Sequence, residues 1–224
     1  MLGNILFHGS DHIIEAPRPG GGKTHNDFGS GFYCTEDREL AREWSCSDAP
    51  SAFVNHYAFE PASPLKIANL DGPQFHVLNW LAILLKNREF RIKHPFPQQA
   101  RDYILQEFLP QLDEYDIIYG YRADDSYFGI ALDFLEGSLS LSQLNQALRL
   151  GHLGHQVFLQ SARAFDALVF LTAEMVDKDT YLQRRQLRNE RARESFRNME
   201  FDKNGIFVLD ILRNKWRNDD ARLQ

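Results

Sequence analysis

Cysteine is scarce in this sequence, which has only Cys34 and Cys46 among its 224 residues. The two have no metal-ligand spacing, and so low a content is typical of proteins from a reducing compartment. No basic segment followed by an apolar run opens the chain, so we expect no signal peptide. The most apolar stretch, residues 77–85, is interrupted by Asn79 and is too short to span a bilayer. These absences predict a cytoplasmic protein with no membrane partner.

Positive charge is also in deficit, because the formal net charge is −6. This balance argues against a general nucleic-acid binder, although a local basic patch can still act. Hydrophobic residues make up 43% of the chain and charged residues 25%, which suits a soluble protein with a full core. The length fits one domain over residues 1–172, with residues 173–224 either part of that domain or an appendage.

The apolar pattern alternates between runs typical of strands and runs typical of helices. Strands are expected at 2–8, 32–35, 53–59, 65–70, 116–121, 156–160, 167–171 and 206–209. Helices are expected just after residue 35, over 75–85, over 101–109, from Leu141 onward after a capping box, and over 173–199. Strands with interspersed helices predict an α+β fold.

The stretch from Asp27 to Thr35 combines glycines, aromatic residues and a helix start. Gly29 and Gly31 permit backbone conformations and close approaches that a side chain would block. Alternation along the short strand predicts that Tyr33 faces away from both of its neighbours. Thr35 is the expected N-cap of the next helix. A loop, an aromatic strand and a capped helix together favour a ligand-holding corner, although ordinary core packing accounts for them as well.

Three residues at the ends of predicted strands are candidates for a site: His8, Tyr33 and Gln156. Each alone also fits a plainer role, as a hydrogen-bonded turn residue, a core aromatic or an edge-strand amide facing water. His152 and His155 have no third ligand nearby in the sequence, and zinc needs three or four, so we predict no metal.

Two segments together resemble a known enzyme class. The segments Leu6-Phe7-His8-Gly9-Ser10 and Asp27-Phe28-Gly29-Ser30-Gly31-Phe32-Tyr33-Cys34-Thr35 are similar to the first two motifs of the histidine–tyrosine ADP-ribosyltransferases, which include diphtheria-toxin-like toxins and poly(ADP-ribose) polymerases. The pattern is closer still to a bacterial family of small uncharacterised proteins assigned to that superfamily. Its members also carry segments like Ala123-Asp124-Asp125 and Gln156-Val157-Phe158. The resemblance spans roughly residues 5–171 and the predicted strand near residue 206.

The resemblance implies a split, curved β-sandwich of the ADP-ribosyltransferase type with peripheral helices, built around a cleft that binds NAD as co-substrate. It implies that His8 bonds a ribose hydroxyl, that the backbone of Gly9 holds the nicotinamide amide, and that Tyr33 stacks on the nicotinamide ring. The remaining residues that it assigns to NAD binding are Ser10, Phe28, Gly31, Asp125 and Tyr127. Tyr127 and Phe128 are also explained by ordinary core packing.

The third motif departs from the polymerase pattern, in which a glutamate bonds the nicotinamide ribose. Gln156 matches that position, and a neutral amide has no charge to offer a developing cation and cannot act as a base. The departure favours transfer of single ADP-ribose units over polymer formation. Gln160 and Asp125 are alternatives for this third position.

The sequence therefore favours a mono-ADP-ribosyltransferase with His8, Tyr33 and Gln156 as its working set. By analogy it is a toxin or defence effector that an inhibitor or antitoxin protein restrains, and its acceptor is a protein, a nucleic acid or a small molecule. A catalytically silent NAD or ADP-ribose binding module and an NAD hydrolase are the alternatives. The arginines between residues 181 and 197 fit either a clamp on an acidic target or a salt-bridged solvated face.

Overall fold

The computed structural model describes residues 2–21, 25–123, 127–150 and 154–223. The strands are β1 (Ile5–Ser10), β2 (Phe32–Cys34), β3 (Phe53–Phe59), β4 (Ile67–Asn69), β5 (Ile117–Tyr121), β6 (His155–Leu159) and β7 (Leu168–Met175). The helices are α1 (Arg38–Ser45), α2 (Val77–Asn87), α3 (Pro95–Phe108), α4 (Tyr127–Leu135), α5 (Leu141–Ala147), α6 (Ala162–Asp166), α7 (Lys178–Arg197) and α8 (Val208–Asn214). The predicted α+β class is confirmed.

The strands form two mostly antiparallel sheets. One has the order β1-β3-β7 and the other the order β2-β6-β5-β4, in which only β4 and β5 run parallel. A pair of backbone hydrogen bonds joins the sheets: Phe7 N–H donates to the carbonyl of Thr35 at 2.8 Å, and Thr35 N–H donates back at 2.9 Å. β1 and β2 therefore run side by side at one point and are otherwise free to diverge.

The two sheets pack face to face over a shared apolar core. Leu6 and Tyr57 of the first sheet meet Phe32, Cys34 and Val157 of the second. Burying these side chains stabilises the pair of sheets, at roughly 25 cal/mol for each Å² of apolar surface removed from water.

Helices cover the outer faces of both sheets. The mainly apolar helix α2 lies in the largest core cluster with α3, α5 and the C-terminal residues Val208, Ile211 and Trp216. On the other side, α1 and the start of α7 pack over Val54 of β3. The C-terminal segment thus contributes to the same core as the helices that precede it.

Two predicted elements differ from those observed. The helix expected from residue 173 begins only at Lys178, because β7 continues as far as Met175, which pairs with Phe53 of β3. The strand expected at 206–209 is instead the start of α8, where the Asp210 carboxylate accepts from the N–H of Phe207. Sheet pairing in one case and side-chain capping in the other override the local apolar pattern.

The expected N-cap at Thr35 is also wrong. Asp37 caps α1, since its carboxylate accepts from the N–H groups of Glu39 and Leu40. The backbone of Thr35 is engaged with β1 in the bridge between the sheets. The capping box at Ser140 and Gln143, by contrast, is confirmed as the start of α5.

Candidate functional site

A cavity of about 530 Å³ opens between the diverging strands β1 and β2. That volume is within the range of small-molecule sites. Of the predicted site residues that the structure describes, six line it: His8, Gly9, Ser10, Gly31, Tyr33 and Gln156. The imidazole, the phenol ring and the late-strand amide, which are far apart in the sequence, therefore share one cavity.

His8 presents one ring nitrogen to the protein and keeps the other as an acceptor. Its Nδ1 lies 2.6 Å from the backbone carbonyl of Tyr33, and because a carbonyl only accepts, Nδ1 carries the proton. Its ring stacks on Phe32 with the centroids 4.2 Å apart. Burial lowers the pKa of His8 to about 4. The imidazole is thus neutral at pH 7, and its Nε2 has a lone pair to offer a hydroxyl group.

Tyr33 is fixed by both hydrogen bonds of its hydroxyl group. The Oη donates to the carbonyl of Gly29 at 2.7 Å and accepts from the N–H of Phe28 at 3.0 Å. Burial raises the pKa of this phenol far above its ordinary value. Because the hydroxyl already donates to and accepts from the loop, the ring is what Tyr33 offers to a ligand, as a rigid flat surface.

Gly9 lies where a larger residue does not fit. A Cβ at this position would lie 2.2 Å from the carbonyl oxygen of Ala41 and 2.6 Å from the nitrogen of Ser45, so α1 packs directly on the strand. Backbone groups alternate between the two edges of a strand, and those of Phe7 point away from β3, toward Thr35. The N–H and C=O of Gly9 share that direction, along the edge of β1 that borders the cavity.

Gln156 is almost completely buried, with 2% of its surface exposed. Its Nε2 donates to the Asp27 carboxylate at 3.0 Å and to the backbone carbonyl of Tyr121 at 3.4 Å. Asp27 is itself 3% exposed and forms an ion pair with Arg88 at 2.8 Å. The amide is thus held from behind by a buried charge pair.

Two of the other residues named from the sequence stand outside this group, and the structure leaves two more undescribed. Phe28 packs in the core beneath Tyr33. It is not one of the described residues that line the cavity. Gln160 donates to the carbonyls of Leu112 and Tyr115 instead, so this alternative for the third position is wrong. Asp125 and the side chain of Tyr127 lie outside the described residues.

A protein-family profile matches residues 4–170, which is well over half of the chain. The family is described as a protein of unknown function, DUF3990. The chain belongs to the DUF3990 family. No curated protein and no solved structure matches it. Every residue that lines the 530 Å³ cavity falls inside the region matched to DUF3990.

Several residues that shape this cavity have little signature in the sequence. The basic segment around Arg88 favours a solvated turn, but the Arg88 side chain is 18% exposed and paired with Asp27. Asn55 is fully buried and holds the loop after β1, because it donates to Ser10 Oγ at 2.9 Å and accepts from Ile14 N–H at 2.8 Å. The sequence alone does not show that a polar residue within a strand, such as Asn55, bonds a loop more than 40 residues away.

A second cavity, of about 810 Å³, lies on the other side of β5. Its walls include Trp80, Tyr121 and Arg149 from the region matched to DUF3990, and residues 204–206 and 222–223 from beyond that region. Arg149 stacks on the ring of Tyr121 and donates to its hydroxyl at 3.0 Å. None of the predicted site residues that the structure describes lines this cavity, so its size does not make it the better candidate.

The described residues offer neither a cluster for a metal site nor a helix that could span a membrane. Among the described residues, no group of three histidine, cysteine, aspartate or glutamate residues is arranged to hold a metal ion. His155, one of the two closely spaced histidines, lies 2.6 Å from the Asp71 carboxylate. No helix in the described part of the chain has the length and apolarity needed to cross a bilayer.

Proposed function

We propose that this protein is a mono-ADP-ribosyltransferase that uses NAD. The C–N bond between the nicotinamide and its ribose breaks, nicotinamide leaves with the bonding electron pair, and a nucleophile on the acceptor bonds to the ribose carbon and releases its proton. The proposal rests on one observation: His8, the Gly9 backbone, Tyr33 and Gln156 border a single ligand-sized cavity. The segments that resemble the first two ADP-ribosyltransferase motifs both contribute residues to this cavity.

Each of these groups suits one part of the dinucleotide. The neutral His8 ring accepts a bond from a ribose hydroxyl through Nε2, and the strand edge at Gly9 offers a donor and an acceptor to the nicotinamide amide. The clamped ring of Tyr33 stacks on the nicotinamide. Arg18 and Arg122 also line the cavity, and guanidinium groups are well suited to a pyrophosphate.

The reaction requires stabilisation of a ribose that becomes positively charged as nicotinamide leaves. Fixing the leaving group and the ribose in a preorganised cavity supplies much of the rate enhancement in such sites. Gln156 contributes a carbonyl dipole rather than a charge, which favours single transfers. Service as a toxin or defence effector, with a partner protein as inhibitor, follows from the resemblance alone.

A catalytically silent NAD or ADP-ribose binding module is the second candidate. The observation that favours it is the neutral amide at Gln156, combined with the neutralisation of the nearby Asp27 carboxylate by Arg88. An NAD hydrolase is the third candidate, and it differs from the first only in using water as the acceptor.

The test is incubation of the purified protein with NAD and a cell lysate. Chromatography measures free nicotinamide, and mass spectrometry searches proteins and nucleic acids for the added mass of ADP-ribose. We expect His8→Ala and Tyr33→Leu to lower nicotinamide release at least about 100-fold, by analogy with the loss of one transition-state hydrogen bond. Tyr33→Phe keeps the ring and should retain more activity than Tyr33→Leu.

His94→Ala is the matched control, since His94 is exposed at the start of α3 and its side chain makes no capping hydrogen bond. Nicotinamide release that survives both His8→Ala and Tyr33→Leu would refute the assignment. Binding of intact NAD without any release would instead support the silent module, and free ADP-ribose without a modified acceptor would support the hydrolase.

A further inference from the structure

The Asp27 carboxylate accepts hydrogen bonds at both of its oxygens. Arg88 donates to Oδ1 through Nε at 2.9 Å and through Nη2 at 2.8 Å. Oδ2 accepts from the N–H of Ala123 at 2.9 Å and from Gln156 Nε2 at 3.0 Å. The carboxylate thus joins the loop before β2, the end of α2, the segment after β5, and β6. Charge-assisted bonds of this kind are the strong ones, so the group is a rigid anchor for its neighbours.

These contacts determine which way the Gln156 amide faces. Its two partners on the protein side are the Asp27 carboxylate and the Tyr121 carbonyl, and both of them only accept. The NH₂ group must therefore point toward them. The carbonyl oxygen is the remaining polar atom of a side chain that lines the cavity. The chemistry of the partners thus fixes which end of the amide is the oxygen.

We infer that Asp27 is a positioning residue that holds the Gln156 amide with its carbonyl oxygen toward the cavity, so that this point of the site takes a hydroxyl donor of the ligand. Identifying that donor as a ribose hydroxyl of NAD rests on the proposed function. The orientation of the amide does not, because it depends only on the protein's own contacts.

The inference explains why a glutamate does not belong at position 156 in this chain. In the Gln156→Glu variant, an ionised carboxylate would face that of Asp27 at about hydrogen-bond distance, and two like charges so close raise one pKa strongly. The protonated form of the same side chain, in contrast, would mimic glutamine, since its O–H donates to Asp27 and its carbonyl faces the cavity. The Gln156→Glu variant should therefore be about as stable as the wild type in acid and should lose stability as the pH rises.

The first test needs no ligand and uses the full chain with Gln156→Glu. Carboxyl NMR should give the introduced glutamate a pKa at least about one unit above its ordinary value near 4.3. A carboxyl group whose pKa is raised by folding loses stability as the pH rises from the unfolded toward the folded value. The melting temperature of the variant should accordingly fall further below that of the wild type between about pH 4.5 and pH 7.

Other ionisable groups around the amide are common to both proteins, so their contributions cancel in this comparison. Those that line the cavity with Gln156 and Asp27 are His8, Asp11, His12, Arg18, Tyr33, Arg88 and Arg122. A pH dependence that is present in the variant and absent in the wild type therefore belongs to the introduced carboxyl group.

The double variant Asp27→Asn with Gln156→Glu is the rescue. The asparagine at position 27 can accept from Arg88 through its oxygen and donate through its NH₂ group to the new carboxylate at position 156, which keeps one negative charge near Arg88. The same NH₂ group loses the bond that Oδ2 accepts from Ala123 N–H, so the rescue is partial. The extra pH dependence should shrink, and the pKa of the introduced glutamate should fall toward its ordinary value near 4.3. Asp27→Asn alone should disturb the site, because the asparagine NH₂ group opposes the NH₂ group of Gln156. The Gln156 amide must then turn its carbonyl oxygen away from the cavity.

The second test measures binding of ADP-ribose and of NAD by calorimetry at pH 7. Asp27→Asn and Gln156→Glu should each weaken binding about tenfold or more, and the double variant should recover part of the loss. Asp116→Asn is the matched control: Asp116 is also buried, it accepts from Ser161 Oγ and Lys66 N–H, and it does not line the cavity. It should lower stability but leave binding unchanged.

The inference and the proposed function fail separately. If the introduced glutamate titrates at its ordinary value in the presence of Asp27, the inference is overturned, whatever the ligand is. A raised pKa that Asp27→Asn removes, in a protein that binds neither NAD nor ADP-ribose, upholds the inference and rejects the proposed function.

Discussion

His8 shows how a single residue becomes fit for hydroxyl recognition. The stacked Phe32 ring and the Tyr33 carbonyl enclose the imidazole, and burial then disfavours its charged form. His8 and Tyr33 were predictable from the sequence because both lie in segments that resemble known motifs, and Tyr33 also lies in a strand with an alternating pattern. The pair of Asp27 and Arg88 was not, because these residues are 61 positions apart and only the packing of α2 brings them together.

Acid should destabilise the protein through His8. Its pKa in the folded state, about 4, lies below the ordinary value of 6.5, so its neutral form stabilises the fold fully above pH 6.5. This contribution, on the order of 3 kcal/mol in full, is lost as the pH falls from about 6.5 toward about 4. Urea unfolding at about pH 7, 5.5 and 4.5 should show a smaller loss for His8→Gln than for the wild type. His94→Gln should follow the wild type, and equal losses in all three proteins would contradict the account.

At the level of elements, the short contact between β1 and α1 positions the cavity. α1 lies directly against Gly9, and its far side is tied to α7 by the pairs Arg184–Glu39 and Arg188–Glu43. The exposed Arg184–Glu39 pair fits the salt-bridged solvated face expected for the arginine-rich helix, whereas the Arg188–Glu43 pair is largely buried between α7 and α1. Apolar periodicity located most elements, but it could not show where β7 ends or that residues 208–214 are helical. Pairing with β3 and packing into the main core decide those boundaries.

Gly9→Ala should separate α1 from β1. The new methyl group would overlap the backbone of Ala41 and Ser45, which cannot move aside as a flexible side chain would. We expect a loss of about 1–3 kcal/mol in the free energy of unfolding, measured by urea titration. Gly129→Ala is the control, because Gly129 lies within α4 with open space around it and should gain about 0.5–1 kcal/mol. A Gly9→Ala protein as stable as the wild type would mean that the close packing is not obligatory.

For the whole molecule, the C-terminal segment is bound into the main core through Val208, Ile211, Trp216 and Leu223. The α+β class and the shared cavity of His8, Tyr33 and Gln156 were predictable from the sequence. The second cavity was not, because its walls come from segments on both sides of residue 172, the boundary that the sequence suggested.

A chain that ends at residue 172 should therefore fold poorly. It lacks the end of β7 and all of α7 and α8, and it leaves part of the core around α2 and α3 exposed to water. We expect strong binding of the dye ANS and a broad, weakly cooperative thermal transition, as in loosely packed states. A sharp melt like that of the full chain would show that residues 173–224 are an appendage after all.

The bridge between Phe7 and Thr35 has a mechanical consequence. These backbone hydrogen bonds mark the point at which β1 and β2 part, and beyond it the two layers still share one apolar interior. A hinge motion that widened the opening would have to pull Leu6 and Tyr57 away from Phe32 and Val157. The aperture is therefore fixed by the same side chains that hold the layers together, and we expect its width to change little when a ligand enters.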